Sequence, residues 1–180
     1  MFEIKLKETG KKYSLPLTFD DLYEIKKGDG NEIVQSDEFE VLTYNGIYKY
    51  MPYGADLDAL DAIATDILTL EVRKELPLLQ AIMDANAAGK VELKTNLTDK
   101  YYTIQTAIAG IYEGRFAFSE NMTPAQYAET EYKSNNLDFL DIDEDIADCI
   151  DWQKVFNKFL KNDVVVINGG ILFDREKAEA

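Results

Sequence analysis

Residues 137–152 read LDFLDIDEDIADCIDW. The stretch holds seven carboxylates, Asp138, Asp141, Asp143, Glu144, Asp145, Asp148 and Asp151, and no lysine or arginine. Apolar residues are interleaved with the acids, which sets it apart from a low-complexity acidic tail. Ile142, Ile146, Cys149 and Ile150 recur at i, i+4, i+7 and i+8, which is helical spacing. Asp141, Glu144, Asp145 and Asp148 recur at i, i+3, i+4 and i+7 and fall on the opposite side. The spacing predicts a packed helix carrying a fixed row of negative charge. From Asp141 to Asp151 such a helix rises about 15 Å. Five carboxylates on or near its outer face give roughly one charge per 3 Å, close to the about 3.4 Å per charge of one DNA strand. An ordinary solvated helix would show the same acids, so density alone does not decide between the two.

The flanks of this stretch predict mixed structure over 111–180. Tyr112 to Phe118 reads as a strand. Thr123-Pro124-Ala125-Gln126 is a capping box with proline at the first helical position, opening a helix through Tyr127, Ala128 and Tyr132. Beyond the acids, Trp152, Val155, Phe156, Phe159 and Leu160 form a second helical stripe, with Lys154, Lys158 and Lys161 outside it. These lysines can pair with Asp148 or Asp151, a weak interaction at an exposed site. Val164–Ile167 and Ile171–Phe173, joined through Asn168-Gly169-Gly170, predict a closing hairpin that belongs to the core.

Residues 1–54 predict a small α+β unit. Phe2, Ile4 and Leu6 alternate with charged residues as in a strand. Thr18 is the expected N-cap of a short helix ending near Gly28, and Lys27 to Asn31 form a turn. Phe39 to Tyr44 predicts a strand, with Asn45-Gly46 turning into a second one at Ile47-Tyr48. Residues 55–110 predict a helical bundle. Its first helix buries Leu57, Leu60, Ile63, Ala64, Ile67 and Leu68, with Asp58 and Asp66 facing away. Pro77 opens a second helix that ends at Gly89, and a third starts near Thr98 or Asp99.

The 180 residues suffice for one ordinary domain or two to three very small ones. Hydrophobic residues make up 46%, too many for a disordered polyanion. The net charge is −15, from 34 acids and 19 bases, which argues against direct nucleic-acid binding and towards basic partners. Over half of the excess lies in the last third, with fifteen acids and seven bases, whereas Lys11, Lys12, Lys26 and Lys27 lie together in the first. Histidine is absent, which removes imidazole general bases, triads and imidazole metal sites. Cys149 is the one cysteine, so no intrachain disulfide and no thiolate zinc cluster can form. Among carboxylates it reads as a small core residue rather than a nucleophile. An EF-hand begun at Asp141 would place Ile146 where glycine is required and Trp152 where glutamate is required. No phosphate-binding glycine loop and no repeat is present. No metal, cofactor or catalytic residue is expected. There is no secretory h-region and no membrane-length apolar run, so a soluble cytoplasmic protein is expected.

The last third resembles the ArdA antirestriction proteins. The resemblance rests on Tyr112-Glu113-Gly114-Arg115-Phe116, the Tyr127-Ala128 helix, Leu140 through Ile150-Asp151-Trp152 with Phe156, and Gly169-Gly170 before an apolar strand. The acidic run before Ile150-Asp151-Trp152 corresponds to that family's antirestriction motif. More loosely, Leu15-Pro16-Leu17-Thr18, Tyr44-Asn45-Gly46 and the helix opening at Asp56-Leu57 agree as well. The resemblance implies an elongated α+β chain of three small domains, here 1–54, 55–110 and 111–180, that forms a homodimer. It further implies a product of a mobile genetic element, such as a conjugative transposon or plasmid. Its carboxylates would mimic DNA phosphates in the groove of a type I restriction–modification enzyme. The residues expected to carry this are Asp138, Asp141, Glu144, Asp145, Asp148 and Asp151, extended by Asp56, Asp58, Asp61 and Asp66. Two rival readings are an acidic module for another basic partner and a carboxylate-dependent enzyme. The second needs a concave site with a carboxylate of strongly raised pKa, and nothing in the sequence picks one pair out.

Overall fold

Alternating apolar residues at the start of the chain produce β1 (Phe2–Leu6), with Phe2 and Ile4 fully buried. It is the central strand of an antiparallel sheet, between β2 (Lys12–Leu15) and β3 (Phe39–Val41). A second antiparallel sheet has the order β4 (Phe116–Glu120), β6 (Gly170–Asp174), β5 (Val164–Ile167). The helices are α1 (Phe19–Ile25), α2 (Leu57–Val72), α3 (Leu76–Ala87), α4 (Thr103–Tyr112), α5 (Pro124–Lys133), α6 (Trp152–Val155) and α7 (Arg175–Ala178). A 3-10 helix covers Gly46–Tyr50, and a π-helical turn, Phe156–Leu160, continues α6. The protein is thus α+β. This computed structural model describes residues 2–26, 34–42, 46–93, 102–134, 140 and 149–178. The chain divides into two compact units, Met1–Met83 with Leu93–Ala109, and Asp84–Glu92 with Gly110–Ala180.

Helix boundaries follow their caps. Thr18 accepts from the Asp21 N–H while the Asp21 carboxylate takes the Thr18 N–H, a reciprocal capping box. Thr123 and Gln126 do the same for α5. At the other end of α2, the Glu75 N–H bonds the Leu70 carbonyl and the Lys74 N–H bonds that of Glu71. This is a Schellman ending, with Lys74 in the left-handed region at φ 62°. Gly89 closes α3 and Gly114 closes α4 by the same pair of bonds.

Several expectations are corrected. Tyr112 is not in a strand, because Gly114 (φ 68°) ends α4 after Tyr112, and β4 begins only at Phe116. Ile47-Tyr48 is a 3-10 helix that buries Ile47 and stacks the Tyr48 ring on Phe2, 5.3 Å between centroids. β3 ends at Val41, with the Leu42 N–H on the Glu3 carbonyl. On α2, Leu68 is 46% exposed and Leu70 is buried in its place, because Leu70 shares the side of Leu60, Ile63 and Ile67. Cys149 is exposed rather than core, two residues before the N-cap of α6. The turn expected at Lys27 to Asn31, the helix start at Thr98 or Asp99 and Asn45 lie outside the described residues.

In the second unit, Tyr127, Ala128, Phe156, Val164 and Ile171 form the core, with Trp152, Val155 and Phe173 packed against it. The closing hairpin is core, as its composition predicts. Tyr127 meets Phe156 edge-on at 6.5 Å, and burial with nearby Glu131 pushes its phenol up to about 12. Arg115 makes two bonds to Asp174, Nε to Oδ1 at 2.8 Å and Nη2 to Oδ2 at 2.9 Å. It also reaches the Glu92 carbonyl and pairs with Glu176 at 3.0 Å. On the outer strand β5, the carbonyls of Val166 and Val164 accept from the Lys90 and Lys177 ammoniums, at 2.8 and 3.3 Å.

A Cβ placed on Gly170 would lie 2.2 Å from the Ser119 carbonyl oxygen of the paired strand. Gly170→Ala is expected to cost about 3 kcal/mol or more in urea denaturation. Lys74→Gly relieves a left-handed side chain and is expected to raise stability by up to about 1 kcal/mol. A loss of stability on Lys74→Gly would show that the lysine side chain, not the backbone, governs that ending.

Candidate functional site: the carboxylates of α2 and of the acidic stretch

Asp138, Asp141, Glu144, Asp145 and Asp148 lie outside the described residues, as does the helix expected to carry them. Asp151 is described, and it does not end that helix. It is the N-cap of α6, with Oδ1 accepting the Lys154 N–H at 3.1 Å. Its other oxygen pairs with the Lys154 ammonium at 3.1 Å. The Lys154 side chain, then the backbone bonds, hold this carboxyl below its ordinary range. Asp151 is therefore a fixed anion at the surface, partly neutralised by its neighbour.

The four carboxylates of α2 have distinct positions. Asp56 is the N-cap, accepting the Ala59 N–H at 2.8 Å. Asp58 and Asp61 sit three residues apart on one side of the helix. Asp58 pairs with Lys26 at 2.8 Å, the lysine side chain being 12% exposed. Asp61 accepts the Leu17 N–H at 2.6 Å. Leu17 and Lys26 flank α1, so two α2 carboxylates hold that helix by its ends. Asp66 is half-buried one further turn along. From Asp56 to Asp66 the helix rises about 15 Å, so the four acids give about one charge per 4 Å, somewhat sparser than a DNA strand. Sequence periodicity places Asp58 and Asp66 on the outer face. It gives no sign that Lys26 or the Leu17 N–H will meet that face, because both come from outside the helix.

The residues that carry the family resemblance also have structural duties. Gly114 ends a helix, Arg115 ties β4 to the end of β6, Phe116 is buried, and Gly170 admits the neighbouring strand. Among the described residues no group of three or more His, Cys, Asp or Glu could hold a metal ion. No helix among them is long and apolar enough to cross a membrane. Compared with protein-family models, curated proteins and solved structures, the chain matches none.

Burial, the larger influence, raises the Asp61 carboxyl above its ordinary range; the Leu17 N–H opposes this, Asp58 adds to it and Lys26 subtracts. A carboxyl raised in the folded state holds its proton more tightly there than when unfolded. Its contribution is therefore fully present below the unfolded pKa and is lost as pH rises through the folded value. Asp61→Asn keeps an acceptor for Leu17 and removes the charge. Its urea stability is expected to equal or exceed that of the wild type at neutral pH, the difference vanishing below about pH 4. Asp61→Ala leaves the Leu17 N–H unpaired and is expected to cost about 1–2 kcal/mol. A neutral-pH loss with Asn as large as with Ala would show that the charge itself stabilises α1.

Proposed function

We propose that this protein is a DNA-mimic inhibitor of type I restriction–modification enzymes. The observation that carries the reading is the base-free run of seven carboxylates at 137–152, set in the residue pattern that resembles the ArdA proteins. The chain's excess of fifteen negative charges and its lack of histidine support it, since a decoy needs charge and no proton transfer. In this reading the carboxylates take the places of phosphates against lysines and arginines of the enzyme's DNA groove. Ions that DNA would displace on binding are displaced by the protein instead. An elongated arrangement of three domains, a homodimer, a cytoplasmic location and an origin in a mobile element belong to the same proposal.

The bonding of α2 sharpens it. Asp56, Asp58 and Asp61 are each engaged within the chain. The base-free run, with Asp138, Asp141, Glu144, Asp145, Asp148 and Asp151, is assigned the main anionic track, with α2 as an extension; Asp151 is engaged too, as the N-cap of α6 paired with Lys154.

The test is competition. The protein is titrated into a type I methyltransferase bound to labelled target DNA at two salt concentrations. Displacement near stoichiometry, weakening as salt rises, is the expected result. Folded protein in large excess that leaves the DNA bound would sink the decoy reading for that enzyme and favour a different basic partner. In the same assay, replacing the six acids of the main track stepwise by Asn or Gln is expected to erode inhibition gradually. Complete loss from one neutral substitution in a folded protein would indicate a specific site rather than a charged track.

A further inference from the structure

Helix α1 buries none of its side chains. Leu22 and Ile25 are half-buried, while the rings of Phe19 and Tyr23 are 81% and 64% exposed. Among the described residues no strand or other helix packs extensively along it. A helix of seven residues also gains little from its own backbone bonds. Its attachments are polar and sit at its two ends. Ahead of it the Leu17 N–H donates to Asp61 at 2.6 Å, and at its C-cap the Lys26 ammonium pairs with Asp58 at 2.8 Å. Glu24 adds a pair with Lys11, both side chains being about half exposed. Each of these attachments includes a charge. The other side of the contact is built differently, since α2 buries Leu57, Leu60, Ile63, Ala64, Ile67 and Leu70.

Two kinds of force thus hold neighbouring helices. Dissolved salt screens the attachments of α1 and leaves the apolar burial of α2 in place. The Thr18–Asp21 capping box lies wholly within the segment, so it survives separation from α2. Segments with little apolar burial are the ones that open below the global unfolding limit. We propose that residues 17–26 form a strap that parts from α2 as one unit while α2 stays folded, uncovering Asp58 and Asp61. Closed, the strap supplies each of these carboxylates with an internal partner. Open, it leaves both to solvent and adds their charge to the surface of α2. The opening stands without the restriction-enzyme reading; under that reading it makes two more anions available to a basic groove.

The experiment is native-state amide hydrogen exchange, followed by NMR on the full chain, with Leu17 as the reporter. Its N–H is bonded to α2, so it is released when that end of the strap leaves. In the wild type Leu17 is expected to exchange faster than Ile63 and Ile67 of α2, and faster again in high salt. Lys26→Met and, separately, Asp58→Asn break the attachment at the opposite end. Each is expected to speed Leu17 exchange by about fivefold or more and to leave Ile63 and Ile67 unchanged. An unchanged Leu17 rate in both variants would show that the two ends act separately and would overturn the proposal. Leu17 rates that match those of Ile63 and Ile67 throughout would overturn it too, by making the opening part of global unfolding.

Discussion

Asp174 is the one charged residue fully buried among those described, and Arg115 is its counter-ion. Two parallel bonds join them, the geometry in which a guanidinium and a carboxylate satisfy each other best. Leaving either group buried without the other typically costs about 3–5 kcal/mol, a large share of a small protein's stability. The pair does more than neutralise a charge. Through it the start of β4, the end of β6, the carbonyl of Glu92 and the side chain of Glu176 meet at one guanidinium. The guanidinium also lies over the Phe116 ring, 4.5 Å from its centre. The second sheet and the Asp84–Glu92 segment share this fixed point.

Carboxylates elsewhere in the chain divide by use. Asp21, Asp56 and Asp151 satisfy N–H groups at helix starts, where negative charge is favoured. Asp58 and Asp61 hold α1 to α2. Asp20 is exposed with no base beside it. A capping carboxylate keeps its charge, so its field still reaches an approaching cation. Its position, however, is set by the backbone it caps. An excess of fifteen negative charges is accordingly not fifteen interchangeable phosphates.

Much of the fold is legible in the sequence where a rule is local. The capping box at Thr123 and the closing hairpin follow from residues a few positions apart, and the structure has both. The core stripe of α2 is legible except for one exchange, Leu70 for Leu68, because helical angle resolves the centre of a stripe better than its edge. Misreadings arise where a distant or backbone constraint prevails. The aromatic alternation of 112–118 suits a strand, yet Gly114 in the left-handed region lets the helix run to Tyr112. Ile47 and Tyr48 also suit a strand, yet the ring of Phe2 draws Tyr48 into a 3-10 turn. For the candidate site, the sequence places Asp56, Asp58 and Asp66 on α2. The partners of Asp58 and Asp61 come from 32 and 44 residues away, and no local pattern encodes them.

The lysines on β5 have a consequence for how the chain behaves in company. An outer strand normally offers a row of carbonyl groups to any extended chain that drifts alongside, which is how sheets of separate molecules fuse. β5 reads Val-Val-Val-Ile, the kind of sequence most prone to such fusion. The carbonyls of Val164 and Val166, two residues apart, face the same way, and each already has an ammonium hydrogen bond. An intruding strand would have to displace both lysines and take their charges out of water. Two of the border carbonyls of β5 are thus already engaged, which makes this strand of four β-branched residues a poorer template for an intruding chain.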